Sequence, residues 1–380
     1  MENLFSVAGL VAVVTGGGTG LGLYTAQALD ANGAKAVYVV GRRADPLQKA
    51  AESAVNGSII PLVGDVTDVD SLNDVVAVVE KEQGFVNVVF ANAGTTGVCH
   101  DPDDNVQTGT AGQFQSKMLK PELLQEFTQI LNVNTTAVFY TAMAFLELLD
   151  KGNRQGNVVQ DSQIVVTTSA AAYDRSLLPT LTAYCTSKAA SSGLAEILST
   201  KFAQRSLRIR VNSLAPGHYP TEMNSAYMAM FPPYTNSRSE GAFQGARSLP
   251  REMCPAERSG SPEDIAGAVL FLASRAGAYL NGTTLLSLKV LPSPLFELAV
   301  HLPGSNFGNA PSNHIDGQLL VVLFDREGLH AIRRWAMLSH FQLVDQRKDL
   351  NMSDEVAEIV RIARSALDAL PKFGNGQPLG

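Results

Sequence analysis

The sequence predicts an α/β fold with a doubly wound parallel sheet, and three observations predict it. Between Leu10 and Phe271, short β-branched runs alternate with stretches of helical periodicity. The runs are apolar throughout rather than at every second residue, which marks strands covered on both faces. The first run passes straight into a glycine turn that opens a helix. Right-handed crossovers then place helices on both faces of one sheet and a ligand crevice at the strand carboxyl ends.

Taken in order, the strands are read at 11–15, 36–40, 58–63, 87–91, 163–168 and 208–214. The helices between them are read at 21–32, 46–54, 70–82, 121–149 and 182–204. Residues 1–14 are apolar but lack a basic start and run into the glycine turn, so they read as a leader into the first strand and not as an export signal. Two stretches break the alternation. Residues 95–119 are polar and contain glycine, which predicts a surface excursion. Residues 287–314 are rich in proline, glycine and asparagine around one apolar centre, and beyond Phe324 basic and apolar residues return at helical spacing, including 355–370. The expected organisation is a single domain over 1–286, an interruption at 287–314 and a helical tail over 324–380.

Composition narrows the functional class. Of 380 residues 45% are hydrophobic and 17% charged, which supports a large core and argues against disorder. The net charge is −7 and no basic cluster stands out, so neither nucleic acid nor an anionic membrane is expected as a partner. No stretch of eighteen apolar residues predicts a membrane span. The three cysteines, Cys99, Cys185 and Cys254, are widely spaced and lack any CxxC pair, which points to thiols in a reducing, cytoplasmic compartment. The six histidines form no metal-binding pattern.

The glycine turn is the first candidate site. Thr15, Gly16, Gly17, Gly18, Thr19, Gly20, Leu21 and Gly22 follow a strand and open a helix. Backbone without β-carbons can approach a pyrophosphate, and the helix N-terminus offers free N–H groups and a favourable dipole. The other reading is a tight strand–helix connection. The second strand ends Val39, Val40, Gly41, Arg42, Arg43, with no acidic residue to accept from a ribose 2′-hydroxyl. A guanidinium here can bond a 2′-phosphate, so NADP(H) is favoured, with solvated loop charges as the alternative.

Tyr184 and Lys188 have the YxxxK spacing within a helical pattern, which puts phenol and ammonium on one face. A nearby cation lowers a phenol from its ordinary value of about 10 towards useful acid–base work. Upstream, the strand over 164–168 delivers Ser169 at its carboxyl end, and Asn134 sits inside a long helical pattern where asparagine is a poor former.

On these residues the chain resembles the short-chain dehydrogenase/reductase family. The glycine cradle, Asp65-Val66, Asn92-Ala93-Gly94, Asn134, Ser169, Tyr184, Lys188 and Pro216-Gly217 followed by Thr221 match in order. The match covers about residues 8–286 and resumes over 315–323 at Ile315-Asp316-Gly317. The resemblance implies a Rossmann-like fold and hydride transfer between a nicotinamide cofactor and a small carbonyl or alcohol substrate. It implies that Tyr184 is the general acid in reduction, that Lys188 lowers its pKa and holds the nicotinamide ribose, that Ser169 orients the carbonyl, and that Asn134 keeps a water for proton relay. Asp65 and Val66 would lie along the adenine, Asn92 and Gly94 beside the cofactor at the sheet centre, and Thr221 against the carboxamide or pyrophosphate.

Two departures remain. Over 218–258, in the place of the family's substrate lid, Tyr219, Met223, Tyr227, Met228, Met230, Phe231 and Tyr234 either line a broad apolar pocket or pack the lid onto the body. The pocket reading favours an apolar or aromatic ketone. The 28 residues 287–314 interrupt what would otherwise run from Leu286 into Ile315, either as a translated intron or gene-model error or as a genuine surface loop. The long helices at 121–149 and 182–204 suit a homodimer. The competing functional class is a nucleotide-binding regulatory or scaffold protein that has lost turnover; the full Asn134–Ser169–Tyr184–Lys188 set argues against it.

Overall fold

The computed structural model describes residues 3–97, 110–173, 181–236, 241–251, 253–287, 296–302 and 318–324. They belong to two units, Met1–Val290 and Leu291–Gly380.

In the first unit, seven strands form one sheet: β1 Val11–Thr15, β2 Ala36–Gly41, β3 Ile59–Val63, β4 Val88–Ala91, β5 Gln163–Thr167, β6 Arg210–Pro216 and β7 Thr284–Ser287. Their order is β3-β2-β1-β4-β5-β6-β7, and each neighbouring pair is parallel. The doubly wound parallel sheet expected from the sequence is the fold observed. Because β1 lies between β2 and β4, the winding reverses there, and the crevice opens beyond Thr15 and Ala91.

The helices are α1 Gly20–Ala31, α2 Ala44–Glu52, α3 Val69–Gln83, α4 Ala111–Met118, α5 Pro121–Leu131, α6 Ala137–Ala144, α7 Leu146–Gln155, α8 Thr182–Gln204, α9 Ser225–Ala229 and α10 Pro262–Ala273. Alternation along each strand divides the core in two. Ala12, Val14, Val37 and Val39 pack with Leu29 of α1, Leu47 of α2 and Ile265 and Val269 of α10. Val11, Val13, Tyr38 and Val40 pack on the other face with Val75 and Val79 of α3, Val138 of α6 and Leu198 and Phe202 of α8. Full coverage of both faces is why the strands read as unbroken apolar runs.

Three expectations change. The helix read at 121–149 is α5, a π-helical turn at Asn132–Thr136, α6 and then α7, which runs on to Gln155. Within the excursion at 95–119, α4 is present, begun by a reciprocal capping box between Thr110 and Gln113. No residue of α4 is buried, so apolar periodicity could not reveal it. The sixth strand starts later than read and continues to Pro216.

The second unit contains an antiparallel pair, β8 Phe296–Leu302 with β9 Gln318–Phe324. β8 falls inside the interruption at 287–314 and takes its apolar centre. Ile315, Asp316, Gly317 and the tail expected to be helical over 325–380 lie outside the described residues. No helix among the described residues is long and apolar enough to cross a membrane.

Candidate active site

A cleft of about 680 Å³ opens where the winding of the sheet reverses. Gly16, Gly18, Thr19, Gly20 and Leu21 form one wall; Arg42, Arg43, Asp65 and Val66 lie at one end; Asn92, Gly94, Tyr184, Lys188 and Thr221 line the remainder. Fourteen of the residues singled out from the sequence therefore converge on one space. Thr15, Gly22, Asn134, Ser169, Pro216 and Gly217 are not on the lining and act, where they act, from behind it.

The cradle is held by hydrogen bonds across the switch point. Thr15 Oγ1 accepts from the backbone N–H groups of Asn92 (3.0 Å) and Ala93 (3.1 Å), while Asn92 Nδ2 donates to Thr15 O (3.0 Å). Gly16 has φ +65°, and a β-carbon there would stand 2.9 Å from Ala93 Cα. A β-carbon on Gly22 would stand only 2.2 Å from Gly16 O. These two glycines let the loop fold on itself, and Gly18 and Gly20 let Pro46 and Thr221 come close, at 3.1 and 3.3 Å from where their β-carbons would stand. At the start of α1 the Thr19 side chain makes no capping hydrogen bond and the first turn holds no acidic residue. The first-turn N–H groups and the positive end of the helix dipole thus face the cleft, the arrangement a pyrophosphate requires.

Beyond β2, burial would raise the Asp65 carboxyl, but the Thr67 hydroxyl and N–H bonds to its Oδ1, and after them the nearby Arg42, hold it below the usual range. Arg43 makes a bidentate ion pair with Glu222, 2.8 and 2.7 Å, across the cleft mouth. Sequence reasoning stopped at Thr221 and missed Glu222; an acidic residue after a lid threonine carries no signal until the loop is seen beside β2.

At the reacting end Lys188 is buried and Tyr184 and Ser169 are half-buried. Lys188 Nζ donates to Thr167 O at 2.9 Å and lies 5.9 Å from the Tyr184 ring centroid. Burial pushes the Lys188 ammonium down to about 8. Burial also pushes the Tyr184 phenol up, opposed by a hydrogen bond from the Ser169 hydroxyl. The Lys188 ammonium donates to the Thr167 carbonyl, and the Ser169 hydroxyl supplies the influence that opposes burial at Tyr184. Ser169 Oγ also accepts from Ala171 N–H at 3.1 Å, which fixes it at the end of β5.

Asn134 is fully buried within the π turn. Its Oδ1 accepts from Thr95 N–H (2.8 Å), and its Nδ2 donates to Thr95 O (2.8 Å) and Ser187 Oγ (2.9 Å). The side-chain amide is therefore committed to tying the loop after β4 to α8. Ser187, unnoticed inside the YxxxK spacing, joins Asn134 to the Tyr184 carbonyl through a 2.7 Å bond.

The lid divides the residues expected to line a pocket. Tyr219 is buried in the core beside α10, and Met228 packs with Leu249, Cys254 and Phe231. Tyr227 sits edge-on to Phe231, and Met230 is exposed. Among the described residues Met223 alone of the seven lines the cleft, as do Thr95, Thr96, Gln129 and Val133. Tyr219, Met228 and Phe231 thus pack against the protein itself.

The chain is similar to known proteins over most of its length. The short chain dehydrogenase profile matches residues 10–230. The chain is 42% identical over 298 residues to the short-chain dehydrogenase/reductase PhomF of Diaporthe leptostromiformis, covering 77% of this chain and 95% of that protein. It is 28% identical over 287 residues to the tetrahydroxynaphthalene reductase PfmaG of Pestalotiopsis fici, covering 73% and 90%. Among solved structures, a short-chain type dehydrogenase/reductase from Mycobacterium marinum superposes with a TM-score of 0.59 at 29% identity, covering 76% of this chain and 97% of that one.

Proposed function

The chain belongs to the short-chain dehydrogenase family, and from that premise we propose that it is an NADP(H)-dependent reductase converting an apolar or aromatic small-molecule ketone to a secondary alcohol. The observation that carries the reading is the convergence of the glycine cradle, the arginines after β2 and the Tyr184–Lys188 pair on one cleft. The PfmaG likeness adds weight to an aromatic ketone.

The cofactor supplies the hydride. The α1 N-terminus and bare glycines receive its pyrophosphate, and Arg42 and Arg43 stand at the end where a 2′-phosphate would lie. At the other end Tyr184 gives its phenolic proton to the carbonyl oxygen as the carbon is reduced. A phenol is protonated near neutrality, and burial moves this one further in the same direction, as a proton donor requires. Ser169, bonded to the phenol, shares the carbonyl oxygen with it. Lys188 reprotonates Tyr184 or holds the ribose, and its value of about 8 keeps it charged under neutral conditions. A water held by Asn134 would sit at its main chain, since its amide is committed to Thr95 and Ser187.

We also propose that two copies pair through the outer faces of α5, α6 and α8, where Leu124, Phe139, Tyr140 and Ile197 are exposed. Residues 287–314 we take to be a gene-model interruption of a domain that spans 1–286 and resumes at 315–323; a mature transcript encoding all 28 residues would overturn that.

The test is a panel of ketones and alcohols offered to the purified full chain with NADPH and NADH. NADPH-dependent reduction that Tyr184→Phe abolishes is expected. Dinucleotide binding without turnover on any carbonyl would favour a regulatory role instead.

A further inference from the structure

We propose that Glu222 is a positioning residue that commits Arg43 to a clasp across the cofactor cleft, leaving Arg42 to discriminate the 2′-phosphate. The inference rests on the dinucleotide reading of the cleft. Arg43 follows β2 at the start of α2, whereas Glu222 begins the 3-10 turn Glu222–Asn224 that follows β6. Their guanidinium and carboxylate meet in parallel at 2.8 and 2.7 Å, and both residues line the cleft.

The Glu222 side is firmly seated. Asn224 Oδ1 accepts from the Thr221 N–H (2.9 Å) and hydroxyl (3.0 Å), and Asn224 Nδ2 donates to Tyr219 O (2.9 Å). Tyr219 in turn is buried in the core. Glu222 also bonds Thr19, and a β-carbon on Gly20 would stand 3.3 Å from Thr221 Cβ. The turn thus spans the cleft from the glycine cradle to the ribose end. A dinucleotide lying along the cradle passes beneath this bridge, which must part for entry and exit.

The geometry also separates the two arginines. A bidentate carboxylate occupies the planar fork of Arg43, the donor edge that a phosphate would use. Arg42 has no such fork-to-fork partner among the described residues; the nearby Asp65 carboxylate accepts at Oδ1 from the Thr67 N–H and hydroxyl. Reader and clasp are therefore different residues.

The pair is exposed, 61% and 55% at the side chains, so its effect on a rate is modest. The experiment follows displacement of NADH and NADPH from the full chain by nicotinamide fluorescence in a stopped-flow instrument, for wild type, Glu222→Gln, Arg43→Gln and the double variant. Each single variant is expected to release both dinucleotides on the order of two- to five-fold faster, the double variant no faster than either single. Raising salt should shrink the gap between wild type and Glu222→Gln, which a structural role for the turn would not produce.

Unchanged release in Glu222→Gln, or single effects that add in the double variant, would overturn the clasp. So would an Arg43→Gln effect confined to NADPH, which would make Arg43 the phosphate reader. Tight NADH with weak NADPH in wild type would defeat the NADP(H) assignment alone, with the clasp still judged on the NADH traces. Failure of wild type to bind either dinucleotide would defeat both.

Discussion

The two ends of the cleft are made of different materials. The dinucleotide end is main chain and absence: Gly16, Gly18 and Gly20 present bare backbone, and its charged groups, Arg43 and Glu222, lie open to water. The reacting end is buried side chain: Asn134 and Ser187 are wholly covered and Lys188 nearly so. At the first end shape is set by what cannot fit, and charge is screened. At the second, burial itself sets the chemistry, because it moves both Tyr184 and Lys188 from their ordinary values.

Perturbing each end sharpens that contrast. The largest effect is expected at the reacting end, where Tyr184→Phe removes the proton donor and should lower kcat by on the order of 100-fold or more while cofactor affinity, titrated by fluorescence, stays near wild type. Next comes Arg42→Ala, which should raise the KM for NADPH by about ten- to a hundred-fold and leave that for NADH unchanged. Equal losses with both cofactors would show that no 2′-phosphate is read there. Gly22→Ala drives a β-carbon into Gly16 O and should cost about 1–3 kcal/mol in a denaturant titration, with loss of dinucleotide binding.

The smallest effect is a pH dependence. Lys188 is held down to about 8, below the roughly 10.4 of an unfolded lysine. Between those values the unfolded chain binds the extra proton, so this residue makes stability rise as pH increases from about 8 to about 10. Lys188→Met should flatten that rise, seen as a wild-type-minus-variant difference in denaturation midpoints near pH 7 and near pH 10. A difference that does not change with pH would mean the ammonium is not desolvated.

The same contrast explains what could be read in advance. The strands were legible because both faces of the central sheet are covered and most of their positions are apolar. The cradle was legible because only glycine tolerates the approach of Gly16 to Ala93. Tyr184 and Lys188 were legible as a spacing, but the influences on them were not: whether an ammonium faces a phenol or the Thr167 carbonyl depends on β5, not on α8. Glu222 escaped because its partner is 179 residues away. The two readings of the lid could not be separated in the sequence, because methionine and tyrosine read alike whether they face a ligand or, as Tyr219 and Met228 do, the protein. Helix α4 escaped because its signal lay in the Thr110–Gln113 capping box, with no buried residue behind it.

The π turn at Asn132–Thr136 has a consequence for tolerance to change. A π turn is one surplus residue in an α-helix, and one residue is worth about 100° of rotation. That surplus sets the angular phase between α5 and α6, and so between exposed Leu124 on one side and exposed Phe139 and Tyr140 on the other. Deleting any single residue there would leave composition almost untouched yet swing one outer face away from the other and draw Asn134 off Thr95 and Ser187. The segment is thus constrained in its length as well as in its identity: it behaves as a vernier between the buried centre of the protein and its surface.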